Sequence, residues 1–275
     1  MKKVYDKCCG IDVHKKIMVA CFIHGKEQEI REFGATTREL LALADWLEQG
    51  GCEMVAMEST ASYWKPLYNI LETSNLPAMV VNARHMKAVP GRKTDVKDAE
   101  WIADLLQHGL LQASYIPDKA QRELRELVGY RKSLVADRTR ELNRLQKMLE
   151  GANIKLSGTV AEINGMSARI ILNELLDGKT IDKTRLEEMK KQKIIAHNLR
   201  ASFDQIADDL NGVMSPLQNK MMRELLKHID ELNVHIKNLD EDIDNHMNDE
   251  EKKATSAITE IGGIAGASAK AIISV

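Results

Sequence analysis

Asp95 and Asp98 stand three residues apart at the head of an apolar-periodic segment, in the stretch GRKTDVKDAEWIADLL (91–106). Two like charges on one turn of a helix repel each other and cost stability. Two further acids occupy equally unfavourable places: Asp12 lies in GIDVHK between Ile11 and Val13, and Glu58 closes the apolar run MVAMES. An acid inside a central strand is poor for β formation and costly if buried without a partner. Singly, Asp95 and Asp98 read as solvated carboxylates in a first helical turn, where the helix dipole favours them. Together, the four acids suggest chemistry. If their strands are parallel neighbours, Asp12 and Glu58 lie near carboxyl ends, where open α/β sheets bind ligands. Asp95 and Asp98 share one face of the helix that follows. Four converging carboxylates repel strongly unless divalent cations sit between them. Hard oxygen ligands suit Mg2+ or Mn2+. Two such ions about 4 Å apart activate a water or hydroxyl and stabilise the leaving oxygen in phosphoryl transfer.

Cations cluster beside these acids. Arg84, Lys87, Arg92, Lys93 and Lys97 fall within residues 82–97 against one acid, Asp95. They read either as a solvated loop or as counter-charge for a phosphate backbone. Residues 121–147 carry eight Lys/Arg against four acids, whereas 224–251 carry ten acids against Lys227 and Lys237. The net charge of −2 therefore hides a basic helix and an acidic one. The two either attract each other in an antiparallel hairpin, or the basic one meets phosphates in a sequence-tolerant way. Tyr63 and Trp64 suit core packing or stacking on a base. His14 has the look of a polar strand-end residue or an assistant to the acids. Cys8, Cys9, Cys21 and Cys52 form no CxxC pair, which argues against a zinc site and for reduced, buried thiols. No apolar run approaches membrane-spanning length, so the expectation is a cytoplasmic protein with no membrane partner.

The elements that must hold these residues follow from periodicity. Residues 8–14, 17–23 and 28–33 predict three strands joined by tight turns. Helices are expected at 36–51, 63–75 and about 95–109, with buried strands at 52–59 and 77–81. Strands alternating with helices after an antiparallel meander imply a mixed sheet with crossover units. That is the RNase H-like α/β architecture, assigned to residues 1–116. A long helix is expected at 118–150, with further helical runs at 167–177, 182–189 and 193–211. A second long helix begins near Ser215-Pro216. Its residues Leu225, Ile229, Leu232, Ile236, Leu239 and Ile243 keep a 4-3 spacing that argues for coiled coil. Residues 117–250 therefore read as an all-α coiled-coil region. Residues 251–275 hold Gly262, Gly263 and Gly266 between apolar runs, like the start of a helix-hairpin-helix element. The chain stops in mid-run at Val275, as if cut short inside a last domain.

GIDVHK, AMESTASYWKPLY and GRKTDVKDAEWIADLLQHGLL together resemble the DEDD motif blocks of the IS-one-ten family of insertion-sequence transposases, relatives of Piv-type recombinases. The resemblance implies an RNase H-like, RuvC-like N-terminal domain, a coiled-coil linker and a partial C-terminal transposase domain. By it, Asp12, Glu58, Asp95 and Asp98 are the catalytic, metal-binding tetrad. It also implies metal-dependent DNA cleavage and strand exchange, with DNA and a structured guide RNA as partners and homo-oligomers, dimers or tetramers, built through the coiled coil. The family's nucleophilic serine has no match here: neither Ser268 nor Ser274 takes that role, so strand exchange by this chain alone is not expected. Two other functions use the same features, a RuvC-like metal-dependent nuclease and a non-catalytic nucleic-acid-binding coiled-coil remnant.

Overall fold

The computed structural model describes residues 3–82, 98–159, 162–195 and 201–275. It divides into two compact units, Met1–Pro117 and Asp118–Val275.

The first unit is built on three antiparallel strands, β1 (Lys7–Val13), β2 (Ile17–His24) and β3 (Glu27–Gly34). The β2–β3 loop is two residues long, and Gly25 takes φ 67° at its first position. Such a loop asks for a left-handed residue there, which Gly supplies without steric cost. Helix α1 (Thr37–Gly50) follows, ended by Gly51 in the left-handed conformation at φ 69°. Then come β4 (Met54–Glu58), α2 (Trp64–Thr73), β5 (Ala78–Val81) and α3 (Asp98–Gln107). Pro66 falls in the first turn of α2, where its missing N–H costs nothing. The sheet order is β3-β2-β1-β4-β5. β1 pairs antiparallel with β2 and parallel with β4, and β4 is parallel to β5. This mixed sheet of five strands has the order and sense of the RNase H-like architecture.

Alternation along the strands sorts the two faces. Cys9, Ile11, Val13, Val55, Met57 and Val80 pack with α1 and α2 in one core. On the opposite face Cys8, Ala56 and Val81 pack with Ile102 and Leu106 of α3. Because both faces are covered, β1 and β4 read as near-continuous apolar runs, as buried parallel strands do.

The second unit is helical. Helix α4 (Lys119–Gly151) is capped by Asp118, which accepts from Gln121 N. Short helices α5 (Leu156–Thr159), α6 (Met166–Leu176), α7 (Lys183–Lys191) and α8 (Phe203–Leu210) lead to α9 (Pro216–His246). Ser215 and Gln218 close a capping box on α9 with Pro216 just inside it, the helix-start pattern that satisfies two orphan donors. Helices α10 (Asp249–Thr259) and α11 (Gly266–Ile273) complete the unit.

Helices α4 and α9 run antiparallel. Leu124 meets Ile243, Leu134 meets Leu232 and Ile236, and Leu145 and Leu149 share a core with Met222 and Leu226. Arg131 donates to both carboxylate oxygens of Asp240 at 2.6 and 3.0 Å, and Arg138 donates to Asn233 at 3.0 Å. The opposite charges of the two helices thus meet in part within the pair.

Two expectations are corrected. The seam does not enter through Leu225, which is only half-buried; Met222 and Leu226 take that place. At this end α9 packs on α4 and also on the short helices, so its apolar face widens beyond a two-per-heptad stripe. Of the helical run expected at 193–211, residues 196–200 lie outside the described residues; the described helix is Phe203–Leu210, and the run does not start at 193. Ser202 caps it by accepting from Gln205 N, and Lys193 sits at φ 58°, which a continuing helix does not allow.

Candidate active site

The parallel ladder between β1 and β4 sets the first two acids. Its register pairs Cys8 with Met54, Gly10 with Ala56 and Ile11 with Met57. One step further lies Asp12 beside Glu58, at the carboxyl ends of neighbouring strands. Residues at matched positions of a ladder face the same side of the sheet. That side is the α3 face, since Ile11 and Val13 on the other are fully buried against α1 and α2. The Asp12 side chain is 14% exposed. His14 Nε2 lies 2.8 Å from its Oδ2, and Thr60 Oγ1 donates to Glu58 Oε1 at 3.3 Å.

Helix α3 brings up the third acid. It runs antiparallel to β1: Gln107 O accepts from Val4 N at 2.8 Å, and Cys8 Sγ lies 3.8 Å from Ala103 O. Near the helix start, Gly10 lies so close that a Cβ there would sit 2.2 Å from Ala103 N and 2.5 Å from Ala99 O. A glycine inside a strand often marks such an approach. The first residue of α3, Asp98, is therefore directed to the strand ends that carry Asp12 and Glu58. Asp98 is exposed and, with Glu100, occupies the first turn, where the helix dipole favours anions.

The arrangement brings Asp12 and Glu58 to one edge of one face and opens α3 with Asp98 at the same end of β1. It does not close them into a cluster: among the described residues, no three His, Cys, Asp or Glu side chains are grouped so as to hold a metal ion. Asp95 lies outside the described residues, as do Arg84, Lys87, Arg92, Lys93 and Lys97. The donor chemistry fits a hard divalent cation. The acids at the strand ends are carboxylates; Glu58 accepts a hydrogen bond from Thr60 at one oxygen, and one oxygen of Asp12 lies close to the His14 imidazole.

The remaining candidates separate. Tyr63 and Trp64 pack half-buried against the α1–α2 core, and Trp64 Nε1 donates to Ala61 O at 3.1 Å, so the core reading holds for both. All four cysteines are free and buried. Burial pushes the thiols of Cys8, Cys21 and Cys52 up to about 12, and that of Cys9 well above its ordinary value. Thr60 and Gly10 were not singled out by sequence reasoning. Gly10 could have been found as a lone glycine in a strand pattern, but a threonine two residues after a strand-end acid is too common to signal anything. No described helix is long and apolar enough to cross a membrane.

No curated protein matches the chain. Among solved structures, T. thermophilus RuvC in complex with Holliday junction substrate is similar over 40% of this chain and 100% of that one, at 11% identity and a TM-score of 0.30. A family model described as a transposase, the DEDD model of the IS110 (IS-one-ten) type, matches residues 9–154, more than half of the chain. Its matched region begins just before Asp12, runs through Glu58, Asp95 and Asp98, and ends just beyond α4. The chain belongs to the IS110 family of DEDD transposases.

Proposed function

We propose that this chain catalyses metal-dependent DNA strand cleavage within an insertion-sequence transposase, with Asp12, Glu58, Asp95 and Asp98 as its acidic tetrad. One observation carries most of the weight. The β1–β4 register and the antiparallel approach of α3 direct three of the four acids to one end of the sheet. The four carboxylates would hold Mg2+ or Mn2+, which polarises a phosphoryl oxygen and activates the attacking water or hydroxyl. The chain's own residues supply the rest. The ladder fixes the spacing of Asp12 and Glu58. The α3 contact fixes the direction from which Asp98 arrives. Arg84, Lys87, Arg92, Lys93 and Lys97 supply counter-charge to the DNA backbone, which positions it without reading its sequence. A structured guide RNA that supplies target choice, and assembly of copies through α4 and α9 as a coiled coil, belong to the same proposal.

The test is nicking of a branched DNA duplex by the purified chain with Mn2+ or Mg2+, beside Asp12→Asn and Glu58→Gln variants. The expected result is cleavage that chelation abolishes and that falls below detection in both variants. Cleavage that survives chelation, or that both variants retain, would refute the assignment.

A further inference from the structure

The apolar seam of α9 is used up inside the chain. Met222, Leu226, Ile229, Leu232, Ile236 and Ile243 are all buried, against α4 and the short helices. A second apolar stripe on the same helix has no such cover. Leu217, Met221 and Leu225 follow one another at four-residue steps; Leu217 is 67% and Met221 50% exposed, and Leu225 is half-buried. The helical repeat sets this stripe about a quarter turn from the seam. With Met148 of α4 it lines an open groove of about 620 Å3. A lone exposed apolar side chain is ordinary, but a row of them along a groove marks a contact surface. Arg144 and Lys147 border the groove on the α4 side, Lys220 and Glu224 on the α9 side. Arg144 already pairs with Glu141. Lys220 and Glu224 are exposed, and neither has an ion pair among the described residues.

Resting on the reading that copies of the chain assemble through α4 and α9, we infer that this groove is occupied by the same stripe of a second copy. Residues four apart form one ridge of a helix surface, and two such ridges interdigitate where helices cross at about −50°. A two-fold axis beside Met221 brings the two Met221 side chains together and carries Leu217 toward Leu225 of the partner subunit. The same operation sets Lys220 opposite Glu224 of the partner subunit. By symmetry the reciprocal pair forms as well, since a two-fold contact is self-complementary. The charges therefore favour a second copy running in the opposite direction; a parallel, in-register pair would set lysine against lysine. This contact is not a coiled coil, because α9 already uses its seam on α4. Its centre is a few side chains from each copy, so the dimer is weak and depends on concentration. Met148 and Met221 are unbranched and adaptable, which suits them to fill such a crossing.

Sedimentation velocity of the full chain over a range of concentrations tests this. The parent should pass from monomer to dimer. Met221→Glu puts two carboxylates at the two-fold axis and should weaken the dimer at least about 10-fold. Lys220→Glu and Glu224→Lys should each weaken it by setting like charges across the contact, and the double variant should restore it. That rescue is one a merely local effect on α9 would not produce. All these positions are exposed or half-exposed, so thermal unfolding at low concentration should match the parent. A dimer that Met221→Glu leaves unchanged overturns this face as the contact while the assembly reading stands. A double variant no stronger than the single ones overturns the two-fold arrangement. A parent that stays monomeric at every concentration overturns the assembly reading and this inference with it.

Discussion

Each of the four cysteines is buried in the first unit, three of them on strands β1 and β2. Burial removes water from the sulfur and disfavours the thiolate, which raises the thiol pKa. For Cys8, Cys21 and Cys52 the folded value reaches about 12 against 9.0 for an ordinary thiol. The folded chain thus keeps protons that the unfolded chain releases between about pH 9 and pH 12. Stability is present in full below that window and is lost as pH rises through it. Urea unfolding should therefore show a midpoint that falls between pH 8 and pH 10.5, and Cys21→Ala should flatten the fall. A slope unchanged by the substitution would mean that the thiols are not its source. The same burial predicts slow alkylation of the native chain, since the thiolate is the reactive form.

Among the elements, α3 and β1 form the contact on which the candidate site depends. Gly10 lets the helix backbone approach the strand more closely than any side chain permits. A Gly10→Ala methyl would meet backbone atoms of Ala99 and Ala103, which move only if the helix moves. The expected cost is about 1–3 kcal/mol of stability, measured by denaturant unfolding, together with weakened Mn2+ binding as Asp98 is carried away from the strand ends. A variant as stable as the parent would show that α3 tolerates displacement. Much of this unit was legible in the sequence. Asp12 and Glu58 announced themselves as acids in apolar strands, and the five strands followed from β-branched runs and Gly turns. The parallel pairing of β1 with β4 was legible only as a condition, because strand order depends on crossovers that periodicity does not encode. Gly10 and Thr60 were hidden for another reason: Gly10 matters for the helix that approaches it from elsewhere in the chain, and Thr60 for the turn that folds it back on Glu58. In the second unit the 4-3 spacing identified α9 but misplaced its entry. A heptad count assumes one partner helix, and the core at that end is shared with α6, α7 and α8.

At the scale of the whole molecule, one large apolar cluster lies against a sheet and another among helices. Its charge is divided along the second unit and sums to nearly zero over the chain. Net charge therefore says little about nucleic acid; local charge decides phosphate affinity. The long pair also has a dimension. Helix α4 has 33 residues and α9 has 31, so at about 1.5 Å per residue each is about 50 Å long. That is close to the span of about 14 base pairs of duplex, at about 3.4 Å each. The pair is in effect a ruler with a helical cluster at one end and the α10–α11 turn at the other. Rulers of this kind can be shortened only in whole divisions. Removing facing heptads from both helices should shorten the span by about 10 Å while keeping the buried faces in phase. Removing five residues from each should rotate one end against the other and unfold the unit, a contrast that thermal unfolding of the two deletions would reveal.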